Sequence, residues 1–364
     1  MSNLTPAISI LIPNYNKAPF LSNTLNSILN QSFTDWECII VDDHSTDESE
    51  DIIKKFTQRD SRFKFVKRPD NIAKGGNACR NIAFSKAVGE FVIFFDSDDW
   101  FVNDALEKRK TNISKCNVDF IVNQGLFWNG KDKQALLITD GYSSEKAIDC
   151  FFAFQPLWLS QSLTIRRSFL LQHKVQWDES VPFYQDVLFN INLLLHSQSY
   201  HICEDIDWVW LKSDNQTLGN KAIKINSYDD NSALAEAVCR LSASYHRNHR
   251  LWFRQYCLKR FYDLLLGNPP QTIHSALMAY PDVLAKRLKL NVFQSIIFKS
   301  VAKTGIAAYR GNNSLGKSVY YRVWKKLWMK HIIPTENKHF LIKKVNTSDY
   351  YFLKALKPNN VSND

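Results

Sequence analysis

No stretch of this sequence approaches the ~18 consecutive apolar residues of a membrane-spanning helix, so a helical transmembrane protein is not expected. The opening Met1-Ser2-Asn3-Leu4-Thr5-Pro6 lacks the charged and apolar regions of a signal peptide, and the expectation is a protein made and kept in the cytoplasm. The seven cysteines, at positions 38, 79, 116, 150, 203, 239 and 257, are odd in number and scattered. None forms a C-x-x-C pair, which argues against a disulfide framework or a zinc site and leaves reduced core thiols. Internal repeats and low-complexity segments are absent. No G-x-G-x-x-G follows the first apolar run and no G-x-x-x-x-G-K-[ST] occurs anywhere, which excludes a dinucleotide fingerprint and a P-loop.

What is present is an ordinary globular composition, 45% hydrophobic over 364 residues. That length is long for one domain and predicts a main domain with a second, smaller one. The net charge of +10 is unevenly placed. From 303 to 364 twelve Lys or Arg face three acids, Glu336, Asp349 and Asp364, a surplus of nine positive charges. In that tail Tyr320, Tyr321, Trp324, Leu327 and Trp328 interleave with Arg322, Lys325, Lys326 and Lys330. The mixture suits a helix lying on an anionic membrane surface better than a nucleic-acid patch. A packed helix with a solvated basic face is the other reading.

The first hundred residues alternate strand and helix patterns with short connections, the signature of a doubly wound parallel α/β sheet. Ile8–Ile12 reads as a buried strand stopped by Pro13, and 20–29 as a helix. Glu37–Val41 is a second strand ending in Asp42 and Asp43. Ser45-Thr46-Asp47-Glu48 matches a capping box and predicts a helix starting there. Phe63–Val66, Asn77–Ala87 and Phe91–Phe95 follow as strand, helix and strand. In an open α/β sheet the ligand crevice lies outside the carboxyl ends of the strands, which is where Pro13-Asn14-Tyr15-Asn16, Asp42-Asp43 and Asp96-Ser97-Asp98-Asp99 fall. Gly75-Gly76 precede a helix whose amino end would approach a ligand, with Lys74, Arg80 and Asn81 able to face phosphate oxygens.

The run Phe91-Val92-Ile93-Phe94-Phe95 ends abruptly in three carboxylates, Asp96, Asp98 and Asp99. Packing them at one strand terminus raises their mutual repulsion unless a cation or hydrogen-bond donors offset it. Oxygen-only ligands of this kind suit Mg²⁺ or Mn²⁺, which commonly hold substrate phosphates. The plainer alternative is a strand followed by an Asp or Ser helix cap.

Five segments in unbroken order, Ile8–Lys17, Ser27–Phe33, Val41–Asp47, Ala78–Asn81 and Gly89–Asp99, resemble the family-2 glycosyltransferases of the GT-A fold. The resemblance implies an α/β, Rossmann-like, mostly parallel sheet flanked by helices over 1–225, with 1–110 binding the nucleotide sugar and 111–225 serving the acceptor. A mainly helical, basic region would follow over 226–364. It further implies an inverting transfer from a nucleotide-sugar donor, usually a UDP-sugar, to an acceptor hydroxyl. Pro13 and Tyr15 fall where the family walls the base, beside Asn14. Asp43 falls where a carboxylate meets uracil, with Asp42 next to it. Asp96, Ser97, Asp98 and Asp99 occupy the D-x-D region that meets the metal and the donor, and Asp98 is the favoured metal ligand. His44 departs from the family's usual glycine. Phe183–Phe189 resembles the element carrying the family's base, which points to Asp186, with Gln185 in place of the usual acid. Trp210–Thr217 resembles a degraded Tyr-Arg-x-His segment in which Asp214 would complete the metal shell.

These implications predict a cytoplasmic enzyme, peripheral on the inner face of the cell membrane, that glycosylates a glycan acceptor, lipid-linked, in the synthesis of a capsule, O-antigen or exopolysaccharide. A sugar nucleotidyltransferase would want a Gly-rich basic loop after the first strand, and Pro13-Asn14-Tyr15-Asn16 is not one. A catalytically silent GT-A-fold binding protein would keep an acidic cluster that costs stability without use. Nucleic acid ranks lowest as a partner, since an acidic crevice repels a phosphate backbone.

Overall fold

The computed structural model describes residues 5–128, 134–137, 144–152, 156–182, 184–211 and 344–346, with a few single positions between 237 and 300. Strand β1 (Ile8–Asn14), helix α1 (Ala18–Leu29), β2 (Trp36–Asp42), α2 (Ser49–Arg59), β3 (Phe63–Lys67), α3 (Gly76–Lys86) and β4 (Phe91–Phe94) form the first half. Next come β5 (Asp99–Phe101), α4 (Ala105–Lys115), β6 (Phe120–Trp128), β7 (Gln134–Leu137) and α5 (Ser144–Phe152). A 3₁₀ turn (Ser160–Ser162) leads into β8 (Leu163–Arg166), α6 (Arg167–His173), α7 (Gln185–His196) and β9 (Tyr200–Leu211), and β10 (Lys344–Asn346) lies far along the chain.

The strands join one sheet in the order β10-β7-β6-β8-β4-β1-β2-β3. The β3-β2-β1-β4 half is parallel, as the alternating pattern predicts. The other half is not, because β8 runs antiparallel to both β4 and β6, and β7 antiparallel to β6 and β10. The sheet is therefore mixed rather than mostly parallel. Strand β9 pairs in parallel with β6 and antiparallel with β5, closing a small flap beside the acidic run.

Both faces of the parallel half are covered, which explains its unbroken apolar runs. Side chains alternate across the pleat. Ile8, Ile10, Ile12, Cys38, Ile40 and Ile93 pack on the face covered by α1, α2 and α4, while Leu11, Ile39, Val41, Val92 and Phe94 pack on the face covered by α3, α5 and α7. At one crossing backbone comes so close that no side chain fits: a Cβ on Gly125 would lie 2.2 Å from the Trp208 ring.

Three local expectations change. Pro13 does not stop β1, which continues to Asn14 with Pro13 opposite Val41. The β1–β4 ladder ends at Leu11, so Pro13 lies where β1 has one sheet neighbour and a missing N–H is tolerated. Ser45–Glu48 is not a capping box. Helix α2 starts at Ser49, and the preceding polar residues tie strand ends together: the Thr46 amide donates to Asn16 Oδ1 (2.7 Å) and the Ala18 amide to Asp47 Oδ2 (3.0 Å). The acidic run after β4 is the turn into a short strand, β5, not a helix cap. In addition, β10 adds a strand from the region expected to be mainly helical.

Candidate active site

The carboxyl ends of β1, β2 and β4 lie side by side, and the polar residues that follow them gather there. Asn14 donates from Nδ2 to Asp42 Oδ1 (2.8 Å) and to Ser45 Oγ (3.2 Å). Asp42 also accepts from the Ser45 amide (2.8 Å) and hydroxyl (2.5 Å). With its side chain fully buried, Asp42 is an anchor for the loop after β2. Asp43 lies one residue on and forms a buried ion pair with Arg68. Its second oxygen accepts from the Gly75 amide at 3.0 Å. Gly75 has φ +142°, a conformation that strains any residue with a Cβ, so this backbone donor depends on glycine. Tyr15 is exposed at the mouth with the Lys74 ammonium 4.0 Å from its ring centroid, and Pro13 beside it is half-buried.

Asp96 and Asp98 lie in the turn after β4 and Asp99 opens β5, with one donor shared between Asp96 and Asp99. Asp96 accepts from Arg80 Nη2 at Oδ1 (2.7 Å) and from Gln161 Nε2 at Oδ2 (2.6 Å). Asp98 pairs with Lys17, the residue before α1. Asp99 accepts from the same Gln161 Nε2 (2.7 Å), and its other oxygen is buried without a partner. Ser97 is buried, and its carbonyl accepts from Thr24 (2.9 Å). Burial pushes the Asp98 carboxyl above its ordinary range, aided by Asp96 and opposed by Lys17. Asp99 is pushed well above that range by burial and then by Asp98 and Asp96. Three carboxyl groups therefore share the turn with two cationic partners, Arg80 and Lys17, among the described residues.

That imbalance tests the fit of a cation. Among the described residues no three His, Cys, Asp or Glu converge as a protein-only metal cage. Mg²⁺ and Mn²⁺ do not require one, since one or two carboxylates plus substrate phosphates suffice. The oxygen donors of Asp98 and Asp96, partly exposed at the crevice, fit that description; Asp99 is fully buried beneath them. Asp214 lies outside the described residues.

Helix α7 brings Asp186 to the same crevice. Tyr184, with φ +54°, turns the chain sharply into the helix. Arg80 then spans the two sides, donating to Asp96 and, from Nη1, to Gln185 Oε1 (3.0 Å), while its guanidinium lies 4.4 Å over Trp177. Asp186 keeps partial exposure as a residue, yet its Oδ1 is buried with no hydrogen-bond partner. Its carboxyl is pushed up by burial, pulled down by Arg80, pushed up by Asp96 and pulled down by the Ser160 hydroxyl. Asn81, by contrast, turns from the crevice: its amide bonds Trp177 O (2.9 Å), Glu179 (2.7 Å) and the Trp177 amide (3.0 Å), fixing the loop ahead of α7.

Four residues of this arrangement carry no assignment from the sequence: Lys17, Arg68, Ser160 and Gln161. Lys17 and Arg68 sit just past the carboxyl ends of β1 and β3, and that position is the signal by which they could have been found. Ser160 and Gln161 lie in a 3₁₀ turn with no periodic or motif signal.

Residues 9–169 match the family model described as glycosyl transferase family 2. The chain is 30% identical over 207 residues to a poly(ribitol-phosphate) beta-glucosyltransferase of Bacillus spizizenii, covering 56% of this chain and 32% of that protein. It is 34% identical over 114 residues to the UDP-Glc:alpha-D-GlcNAc-diphosphoundecaprenol beta-1,3-glucosyltransferase WfgD of Escherichia coli, covering 31% of this chain and 44% of that one. The first curated relatives are spanned for only 32% to 42% of their own lengths. Among solved structures, S. aureus TarS in complex with UDP-GlcNAc superposes with a TM-score of 0.62 at 17% identity, covering 87% of this chain and 92% of that one. At that identity the likeness speaks for the fold, which is GT-A.

Proposed function

We propose, on the premise that residues 9–169 are a family-2 glycosyltransferase domain of GT-A fold, that this protein moves a sugar from a UDP-sugar to a hydroxyl of a lipid-linked glycan with inversion. The observation that carries the reading is the Arg80 bridge, which sets a carboxylate-rich strand end and the buried, unpartnered Oδ1 of Asp186 on one crevice. The names of the relatives, one acting with UDP-Glc on a diphosphoundecaprenol-linked sugar and one on poly(ribitol-phosphate), support donor and acceptor classes of this kind.

In this reading Tyr15 and Pro13 offer a face for the base, and Asp43 a carboxylate for its ring N–H, held in place by Arg68 and Gly75. Asp96 and Asp98 would hold Mg²⁺ or Mn²⁺, which when bound supplies positive charge against the departing diphosphate. Lys74 and Arg80 add fixed cations on the donor side. Asp186 takes the proton from the acceptor hydroxyl as it attacks the anomeric carbon, and its position beside Arg80 keeps the carboxylate available despite burial. The product would belong to a surface polysaccharide built at the inner face of the membrane.

Asp186→Asn tests the assignment. UDP-sugar affinity should stay within a few-fold while transfer falls about 10²–10⁴-fold, the usual range for a lost general base. A joint collapse of donor affinity and turnover in a folded variant would make Asp186 a donor-site residue instead.

A further inference from the structure

We infer that Gln161 is a positioning residue of the donor site, holding Asp96 and Asp99 in fixed orientation through one side-chain amide. The inference rests on reading the crevice as the donor site. Gln161 is 3% exposed and reaches the acidic turn from the 3₁₀ turn before β8, far from it in sequence. Its Nε2 carries two hydrogens, and both are used on carboxyl oxygens: 2.6 Å to Asp96 Oδ2 and 2.7 Å to Asp99 Oδ2. The orientation of the amide is set by those two acceptors and leaves Oε1 toward the Ser160 hydroxyl, 3.3 Å away.

The choice of an amide has a chemical consequence. An Arg or Lys at 161 would neutralise the turn and compete with any cation brought by the donor diphosphate. A Glu would add a fourth carboxylate and lose the donors. A carboxamide supplies two hydrogen bonds and no charge, so the turn is ordered while its negative field is preserved. With Arg80 on the other oxygen of Asp96, that carboxylate is held from both sides and cannot swing. Asp98 is left with a single, partly exposed ammonium partner, Lys17, and is the carboxylate best placed to exchange that partner for another cation.

The test is calorimetric titration of UDP in the presence of Mg²⁺ into the full-length protein, with thermal unfolding run on each variant. Gln161→Leu, close in volume but without donors, should weaken UDP binding by about tenfold or more, because hydrogen bonds to charged groups are the strong ones. Gln161→Asn keeps both donors on a stem one methylene shorter and should fall between wild type and Leu. A cooperatively folded Gln161→Leu that binds UDP within threefold of wild type, with only its melting temperature lowered, overturns the inference. Where Leu does not fold, unchanged affinity in Gln161→Asn overturns it equally. If the wild-type protein binds no nucleoside diphosphate, the donor-site reading itself fails and the inference falls with it.

Discussion

The carboxylates of the crevice differ in fate although the sequence presents them alike. Asp42 and Asp43 are adjacent, yet one is an internal anchor bonded to Asn14 and Ser45 and the other is paired with Arg68. A single sequence reveals the acids at the strand ends but not which neighbour each will find, since Arg68 and Gln161 arrive from other elements. Asp186 shows how burial translates into a measurable property. Its carboxyl is raised, with burial the largest cause and Arg80 opposing it, so the base is competent only above a pKa higher than that of an ordinary Asp. We expect the acid limb of the pH–kcat profile to lie above the usual carboxylate range, and to move further up in Ser160→Ala, which removes a hydroxyl whose influence on Asp186 is to lower that carboxyl. A limb left in place by that substitution would separate Ser160 from the base. Asp99 carries the same argument into stability. Its folded-state pKa is raised well above the unfolded value by burial and by Asp98 and Asp96, so the stability linked to this one group is fullest below about pH 4, the unfolded value, and is lost as pH rises through the folded pKa. In chelator, Asp99→Asn should therefore raise the melting temperature at pH 7, with the gain gone near pH 4. Equal destabilisation at both pH values would show that Asp99 carries no buried charge.

The elements of the parallel half were legible because their apolar runs are bounded by turn chemistry and lie within a residue or two of the observed strands. What the sequence hid is how the second half is attached. Strand β9 combines a parallel pairing to β6 with an antiparallel one to β5, and no local pattern announces either. The joint is an ion pair: Arg109 of α4 donates from Nε and Nη2 to the two oxygens of Asp207 on β9, both at 2.7 Å, with both side chains fully buried. Arg109 sits 5.0 Å from the Phe101 ring, so the pair also backs β5. Removing one partner leaves an uncompensated charge in the core, at a cost of about 3–5 kcal/mol. Asp207→Leu should lose that much in urea unfolding, and Asp207→Leu combined with Arg109→Met should recover most of it, because two apolar groups can replace a buried pair. A double variant no better than the single one would mean that the pair sets the pairing of β9 rather than only its stability.

Along the whole chain charge is unevenly distributed in sequence: an acidic run follows β4, and a basic surplus occupies the last sixth. Among the described residues no helix is long and apolar enough to cross a membrane. The aromatic and basic stretch from Tyr320 to Trp328 lies outside the described residues, so its docking on an anionic membrane remains an expectation of the sequence. Strand β10 bears on how to test it. Lys344–Asn346 pairs antiparallel with β7, so cutting the chain before 303 would remove a strand from the sheet edge along with the basic stretch, and a loss of binding would then have two causes. Charge reversal avoids this. Each Lys or Arg near an anionic surface contributes about 1 kcal/mol, screened over a Debye length of about 8–10 Å at moderate salt. The intact protein should sediment with vesicles containing anionic lipid at low salt and release near 0.5 M. Lys325→Glu combined with Lys326→Glu should weaken that binding by about a hundredfold while leaving UDP affinity unchanged, since neither residue belongs to the proposed donor site. Intact protein that ignores anionic vesicles at low salt would make the basic stretch a solvated packing element, and the acceptor would then have to reach the crevice without help from the tail.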